Sequence, residues 1–455
     1  MSKIFQSVVL PLHRLLSGRN ILPYFKAAQV NQWLSHDRLV RIQSDGIRRL
    51  MAHAAAQVPF YQKRFSQTGI TPEDIRRADD LNRIPPLTKG QLRRHREDLI
   101  AVNFRRKDLV ARSTGGSTGV PTSFFYDRGS WDARVGAKYS AYTWAGWDFP
   151  MPTAILSGSP IDKAVFLSLR GKLKSALFHE LVLDTFQMSE PIRRTYIRRL
   201  QRFRPGLLIG YTSACIALAR QFIADGQHLA IPSIITSAEM LFPEQRSFLE
   251  DAFESEIFDL YGSREVSAIG MECNRHIGFH VPIDRLVVEI LHGDTPTPPG
   301  EPGEITITDL ENFGMPLIRY QIGDVGRFLD GECPCGRKLP LLELTHGRIC
   351  DLIITPSGRY LPGEFFPHLF KEVSAHVEQY QIIQQSLAEL IIKIVANDSF
   401  GDSQRAYLEK KIREKVGLEM EITFQMVKEI PPETSGKHRI TISKLDHSKP
   451  FEEPG

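Results

Sequence analysis

Ser113-Thr114-Gly115-Gly116-Ser117-Thr118-Gly119-Val120-Pro121-Thr122 gathers three glycines and five hydroxyl side chains into ten positions. Glycine lets the backbone turn its N–H groups toward an anion, and hydroxyls add short donors. Together they suit a small concavity for phosphate oxygens. No Lys follows the last glycine, so the spacing is not that of a Walker A loop. A Ser/Gly surface linker has the same letters. What decides between the two is the order of elements around this stretch.

Downstream, short apolar runs alternate with helical segments, as in a βαβ architecture. Leu207–Tyr211 reads as a buried strand, followed by a helix at 213–225. Ile234–Glu239 ends a second strand before a helix at 243–254, and Ile257–Gly262 makes a third strand. In open α/β sheets, ligands bind past the carboxyl ends of strands. Ser237-Ala238-Glu239 and Tyr261-Gly262-Ser263-Arg264-Glu265 fall at such ends and are candidate site loops. After residue 280 the pattern becomes β. Leu286–Leu291 and Glu304–Thr308 flank a Pro/Gly-rich turn, as a hairpin would. Past residue 351 a compact α+β unit follows, with strands near 377–384 and 388–396, a helix near 402–416 and a strand near 420–428. The expected organisation is α/β: a large N-terminal domain over residues 1–349 with a β-rich subdomain, and a small α+β domain over 350–455.

Upstream, residues 28–110 read as mostly helical, broken by Ile84-Pro85-Pro86-Leu87. Phe124-Phe125-Tyr126 reads as a short strand. The stretch 130–147 carries Trp131, Tyr139, Tyr142, Trp144 and Trp147, which fits either a core face or the wall of an apolar pocket. Residues 4–16 are apolar but interrupted by Gln6, Pro11, His13 and Arg14. They are too short to span a bilayer, and fit a helix docked on its own domain or a membrane-surface contact.

Composition narrows the classes. A chain of 455 residues with 42% hydrophobic and 24% charged residues can bury a sizeable core, in two or three folding units. Its net charge of +4, with both signs interspersed, carries no nucleic-acid footprint. Five cysteines argue against a secreted disulfide framework. With no transmembrane-length stretch, a cytoplasmic location is expected.

The glycine loop, Tyr261-Gly262-x-x-Glu265, Arg319-Tyr320 with Gly323-Asp324, Gly347-Arg348, and Thr434-Ser435-Gly436-Lys437 occur in the order of the adenylate-forming superfamily. The chain most resembles its phenylacetate–CoA ligase branch, including CapK-like proteins associated with capsule polysaccharide synthesis. That resemblance spans nearly the whole chain. It implies activation of an aryl or small carboxylic acid by ATP to an acyl-adenylate, then transfer to coenzyme A. Alternative acceptors are a carrier protein or a saccharide. A different class, a low-turnover nucleotide-binding relative, would have no use for a group aimed at the transition state.

The resemblance also implies roles. Ser113, Thr114, Gly115, Gly116, Ser117, Thr118 and Gly119 would hold the β- and γ-phosphates, and Glu265 would carry Mg2+, a hard cation suited to oxygen ligands. Tyr261 would lie against the adenine, beside Gly262, while Ser237, Ala238 and Glu239 join the nucleotide site by their place at a strand's carboxyl end. Asp324 would accept the ribose hydroxyls near Arg348. Lys437, on a mobile small domain, would reach the carboxylate and α-phosphate as charge builds there. Two positions depart from the pattern. Val120 stands where many relatives carry Lys, and Cys350 stands where the usual Gly-Arg-x-Asp-Asp pattern has its first Asp, the interdomain pivot. Asp324 also fits a simple turn, and Lys437 a solvated tail.

The cysteines form a second signal. Cys273, His276 and His280 lie close in sequence, and Cys333-Pro334-Cys335 follows about sixty residues later. Three thiolates and one imidazole make a closed tetrahedral zinc set. His280 is the expected fourth ligand and His276 its competitor. Buried free thiols with unrelated histidines are the alternative.

Overall fold

The computed structural model describes residues 5–113, 123–157, 168–185, 190–346, 352–356, 360–362, 366, 369–370, 372–373, 375–431 and 440–445. The chain divides into two compact units. The first comprises Met1–Ile322 and Arg327–Glu343, the second Gly323–Gly326 and Leu344–Gly455.

In the first unit a hairpin, β1 (Val110–Ser113) and β2 (Ser123–Tyr126), pairs antiparallel and ends at the Ser113↔Ser123 step. Then come β3 (Thr153–Ser157), β4 (Glu180–Asp184), β5 (Leu207–Tyr211), β6 (Ser233–Ser237), β7 (Glu256–Ser263), β8 (Ser267–Met271) and β9 (Phe279–His280). They are followed by β10 (Leu286–His292), β11 (Thr295–Pro296), β12 (Gly303–Asp309), β13 (Tyr320–Leu329) and β14 (Leu341–His346). From β3 onward these strands form one 12-stranded sheet, ordered β11-β10-β12-β13-β14-β9-β8-β7-β6-β5-β3-β4.

The strands β4, β3, β5, β6 and β7 are parallel to one another. Helices Thr212–Ala224 and Pro243–Phe253 connect β5 to β6 and β6 to β7. Their apolar faces bury Leu218, Phe222, Leu249 and Phe253 against Leu208, Ile234 and Ile257 of the strands. That is why these strands read as near-continuous apolar runs. Strand β7 changes partner type along its length. It runs parallel to β6 up to Leu260, then antiparallel to β8 through the hairpin that carries Glu265. Gly262 sits at the register shift there, and a Cβ on it would lie 2.5 Å from the Ser267 carbonyl oxygen.

The aromatic stretch is core rather than pocket wall for Tyr139, Tyr142 and Trp147, which are buried with Phe178, Leu207 and Phe258. Helix Arg128–Tyr142 is capped by Asp127, whose Oδ1 accepts from Ser130 N at 2.8 Å.

In the second unit β15 (Leu352–Ile354) pairs with β16 (Tyr360–Pro362). A four-stranded sheet, ordered β19-β18-β17-β20, is built from β17 (Val377–Ser386), β18 (Glu389–Ala396), β19 (Glu421–Met426) and β20 (Thr441–Ser443). Helix Asp402–Val416 buries Leu408, Ile412 and Val416 in the same core as Ile382, Ile392 and Ile394. No helix among the described residues is long and apolar enough to cross a membrane.

Candidate active site

Strands β6 and β7 end side by side, with Ser237 opposite Leu260. The backbone beyond β6 turns at once, and Ala238 takes a left-handed φ of 70°. A residue with a Cβ adopts that conformation only where its surroundings hold it, as site loops commonly do. Glu239 follows, half-buried. Tyr261 is 7% exposed with its ring 5.8 Å from that of Phe279. The Ser237–Glu239 and Tyr261–Gly262 candidates therefore share one edge of the parallel sheet. Ser113 ends β1 of the separate hairpin. Thr114, Gly115, Gly116, Ser117, Thr118, Gly119, Val120, Arg348, Cys350 and Lys437 lie outside the described residues. Asp324 lies on β13, half-buried and next to Gly323 with its φ of +79°, among residues that cluster with the second unit.

Glu265 is 5% exposed in the β7–β8 turn. The Tyr320 hydroxyl donates to its Oε1 at 2.9 Å, and Arg134 Nη1 donates to its backbone carbonyl at 2.7 Å. The Tyr126 hydroxyl donates to the neighbouring Arg264 carbonyl. Arg134 is itself buried, ion-paired with Asp309 and stacked 3.9 Å from the Tyr126 ring centroid. Burial pushes the Tyr126 hydroxyl pKa up to about 12, so it stays a donor. The turn is thus braced by three side chains, Tyr126, Arg134 and Tyr320, with Asp309 behind Arg134. None of Tyr126, Arg134, Asp309 or Tyr320 stood out as a support for Glu265 in the sequence. The available signal was a charge inside an apolar setting: Arg134 in an aromatic helix and Asp309 at the end of Ile305-Thr306-Ile307-Thr308.

Arg319, beside Tyr320, turns the other way. It is fully buried, pairs with Glu289 at 3.0 Å, and donates to the Ile84 carbonyl at 2.6 Å. It clamps the proline-rich break 84–86 to the sheet, which is a structural task.

The cysteine cluster closes at one point of the first unit. Cys273 follows β8, His280 lies on β9, and Cys333 and Cys335 lie between β13 and β14. Their ligand atoms all fall within 4.8 Å of one another. Cys273 Sγ is 3.6 Å from Cys333 Sγ, and His280 Nε2 is 3.4 Å from the sulfurs of both Cys273 and Cys335. A tetrahedral zinc ion would set sulfur–sulfur edges near ~3.8 Å and sulfur–nitrogen edges near ~3.5 Å. His280 Nδ1 faces the Leu339 carbonyl at 3.4 Å, which favours the tautomer with a lone pair on Nε2. Burial holds the His280 pKa down at about 4, so the imidazole is neutral as a metal ligand must be. His276 is drawn away to Glu272 at 3.2 Å and Glu256 at 3.4 Å.

The C-terminal domain family of CapK matches residues 353–444. Phenylacetate-coenzyme A ligase of Thermus thermophilus is 25% identical over 439 residues, covering 89% of this chain and 96% of the relative. The Escherichia coli enzyme of that name is also 25% identical, covering 87% and 93%. Protein CapK of Staphylococcus aureus is 22% identical, covering 90% of each. Among solved structures, 2-hydroxyisobutyryl-CoA ligase bound to an acyl-AMP superposes with a TM-score of 0.73 at 18% identity, covering 90% of each chain. Over most of its length the chain is thus similar to phenylacetate-coenzyme A ligases and to protein CapK, and it shares the fold of 2-hydroxyisobutyryl-CoA ligase. In this fold the motif residues Tyr261, Gly262 and Glu265 all lie on the β7–β8 hairpin.

Proposed function

We propose that this protein activates a carboxylic acid with ATP to an acyl-adenylate and passes the acyl group to coenzyme A. The observation that carries the proposal is Glu265, a buried carboxylate fixed from several sides at the carboxyl edge of the parallel sheet. It supports an ordered charge site rather than a solvated surface acid.

A carboxylate is a poor acylating agent. Attack of its oxygen on the α-phosphate of ATP expels pyrophosphate and leaves a mixed anhydride. The protein's task is chiefly to position the reactants and stabilise charge. In this reading the 113–119 segment holds the terminal phosphates and Tyr261 lies against adenine. Ser237, Ala238 and Glu239 line the same site, and Asp324 and Arg348 hold the ribose. Lys437 stabilises the charge that builds at the α-phosphate and carboxylate. Glu265 Oε1 already accepts from Tyr320, and as a carboxylate oxygen donor Glu265 fits Mg2+, which when bound would neutralise phosphate charge. The thiol of coenzyme A then attacks the acyl carbonyl and AMP leaves.

We infer a structural zinc held by Cys273, His280, Cys333 and Cys335, because the four donors are closed, buried or half-buried, and spaced as tetrahedron edges. With the cytoplasmic location expected from the sequence, ATP and coenzyme A are at hand.

The CapK match at residues 353–444 favours testing acceptors other than coenzyme A. The experiment is ATP–pyrophosphate exchange across aryl and short-chain acids, then product analysis with coenzyme A, carrier protein or saccharide. Exchange with an acid and thioester only with coenzyme A supports the reading. No exchange with any acid overturns it.

A further inference from the structure

The N-terminal apolar segment has two faces in the structure. In the helix Leu10–Ser17 and the turn before it, Val9, Leu10 and His13 are buried, with the His13 ring edge-on to Phe178 at 5.3 Å. The opposite side presents Val8, Leu12 and Leu15 to solvent at 55%, 40% and 82% exposure. Their spacing of four and three residues makes one apolar stripe along the helix. The helix Leu169–Leu177 ends at the same Phe178 and exposes Leu169 and Leu173 at 75% and 55%. Leu177, one turn further along that row, packs into the buried cluster that holds Val9 and Leu10. Two exposed apolar rows therefore flank a single buried cluster.

Charge around these rows has one sign. Residues 5–36 contain Arg14, Arg19 and Lys26 and no Asp or Glu. Residues 168–179 contain Arg170, Lys172 and Lys174, again with no acid. This is a local excess of six in a chain whose net charge is +4, so the remainder is net acidic. Two acids packed beside these rows are withdrawn from solvent. The Glu180 side chain is 5% exposed and bound by Tyr139 and Lys174, while Asp132 is 7% exposed and accepts from the Asn20 amide.

We propose that this face is an interfacial docking surface for an anionic lipid bilayer. Leucines bordered by cations without acids match what such a surface demands: apolar side chains among the acyl chains and positive charge at the headgroups. Neither term alone holds a protein of this size, because a few exposed leucines give only marginal, reversible binding. The helix lies on the bilayer rather than crossing it, since no described helix is long and apolar enough to span. An acyl group activated here is then made beside the membrane.

The test is flotation of the full chain with vesicles of phosphatidylcholine alone, or with about one-third phosphatidylglycerol. Expected are binding to the anionic vesicles only, and at least about a tenfold loss of affinity from low to high salt. Leu12→Ser with Leu15→Ser should lower affinity by about a hundredfold, since both side chains lose their burial. Arg14→Gln with Lys172→Gln should remove the preference for anionic lipid. All four positions are at the surface, so both variants should keep their melting temperature and their pyrophosphate exchange. Absence of binding to the anionic vesicles, or serine variants that bind like the parent, overturns the proposal. So does a parent protein that ignores vesicles but dimerises through Leu15, because a second copy would then cover the face.

Discussion

The Tyr320 hydroxyl donates to Glu265 Oε1 across 2.9 Å, joining the start of β13 to the turn between β7 and β8. Both side chains are buried. Tyr320→Phe keeps the ring and removes only the donor. A hydrogen bond to a charged group contributes about 1.5–3 kcal/mol, so pyrophosphate exchange should fall at least about tenfold. The melting temperature should fall too, because the buried Glu265 oxygen loses its donor, so exchange is compared where both proteins are folded. Unchanged exchange would reduce Tyr320 to a packing residue.

Arg134 and Asp309 form a buried ion pair behind the same turn. Arg134→Met leaves Asp309 charged, buried and unpaired, which typically costs about 3–5 kcal/mol. Combining it with Asp309→Asn removes that stranded charge and should restore much of the melting temperature. Exchange activity should stay low in both, because the bond from Arg134 to the Glu265 carbonyl is gone.

The metal proposal is checked by composition and stability together. Purified protein should contain about one zinc per chain, and Cys333→Ser should lose both metal and stability. His276→Ala should keep the metal, since His276 pairs with Glu272 and Glu256 instead. Metal-free protein with an unchanged melting temperature would leave the thiols as ordinary core residues.

Asp259 gives a pH dependence of stability. Burial, with Glu272 nearby, pushes its carboxyl up to about 7, against the opposing hydrogen bond from Thr236. Between the ordinary carboxylate value near ~4 and about 7, the folded protein binds a proton that the unfolded chain releases. This contribution is therefore greatest on the acid side and is lost as pH rises through that window. Asparagine keeps an Oδ1 to accept from Thr236 and the Leu260 amide. The melting-temperature advantage of Asp259→Asn should grow from about pH 5 to about pH 8. An advantage constant across that range would mean that Asp259 does not titrate there.

Lys437 is assigned from its motif alone. Lys437→Ala should lower adenylate formation by several orders of magnitude, since losing one charged transition-state partner costs on the order of 3–4 kcal/mol or more. Thioester formation from supplied acyl-adenylate should suffer far less. Equal losses in both half-reactions would refute the assignment.

By itself the sequence determined what is written locally. Strand and helix alternation over 207–263, the hairpin of β10 and β12, and the order of motifs through Lys437 rest on periodicity, turn chemistry and spacing over a few residues. The cysteine set was legible for the same reason, because its residue types and short intervals announce a ligand group. Tertiary structure alone decided matters that depend on distant partners. The parallel strands and the later β segment read as separate regions, yet the two-partner strand β7 links them in one sheet. Either His276 or His280 fits the interval from Cys273. The pairing of His280 with Leu341 on β14 turns that ring to the thiols, while Glu272 and Glu256 capture the other. Arg134 and Asp309 meet across 175 residues. No local pattern specifies such a contact, because it forms only when the burial of both charges is resolved together in the folded core.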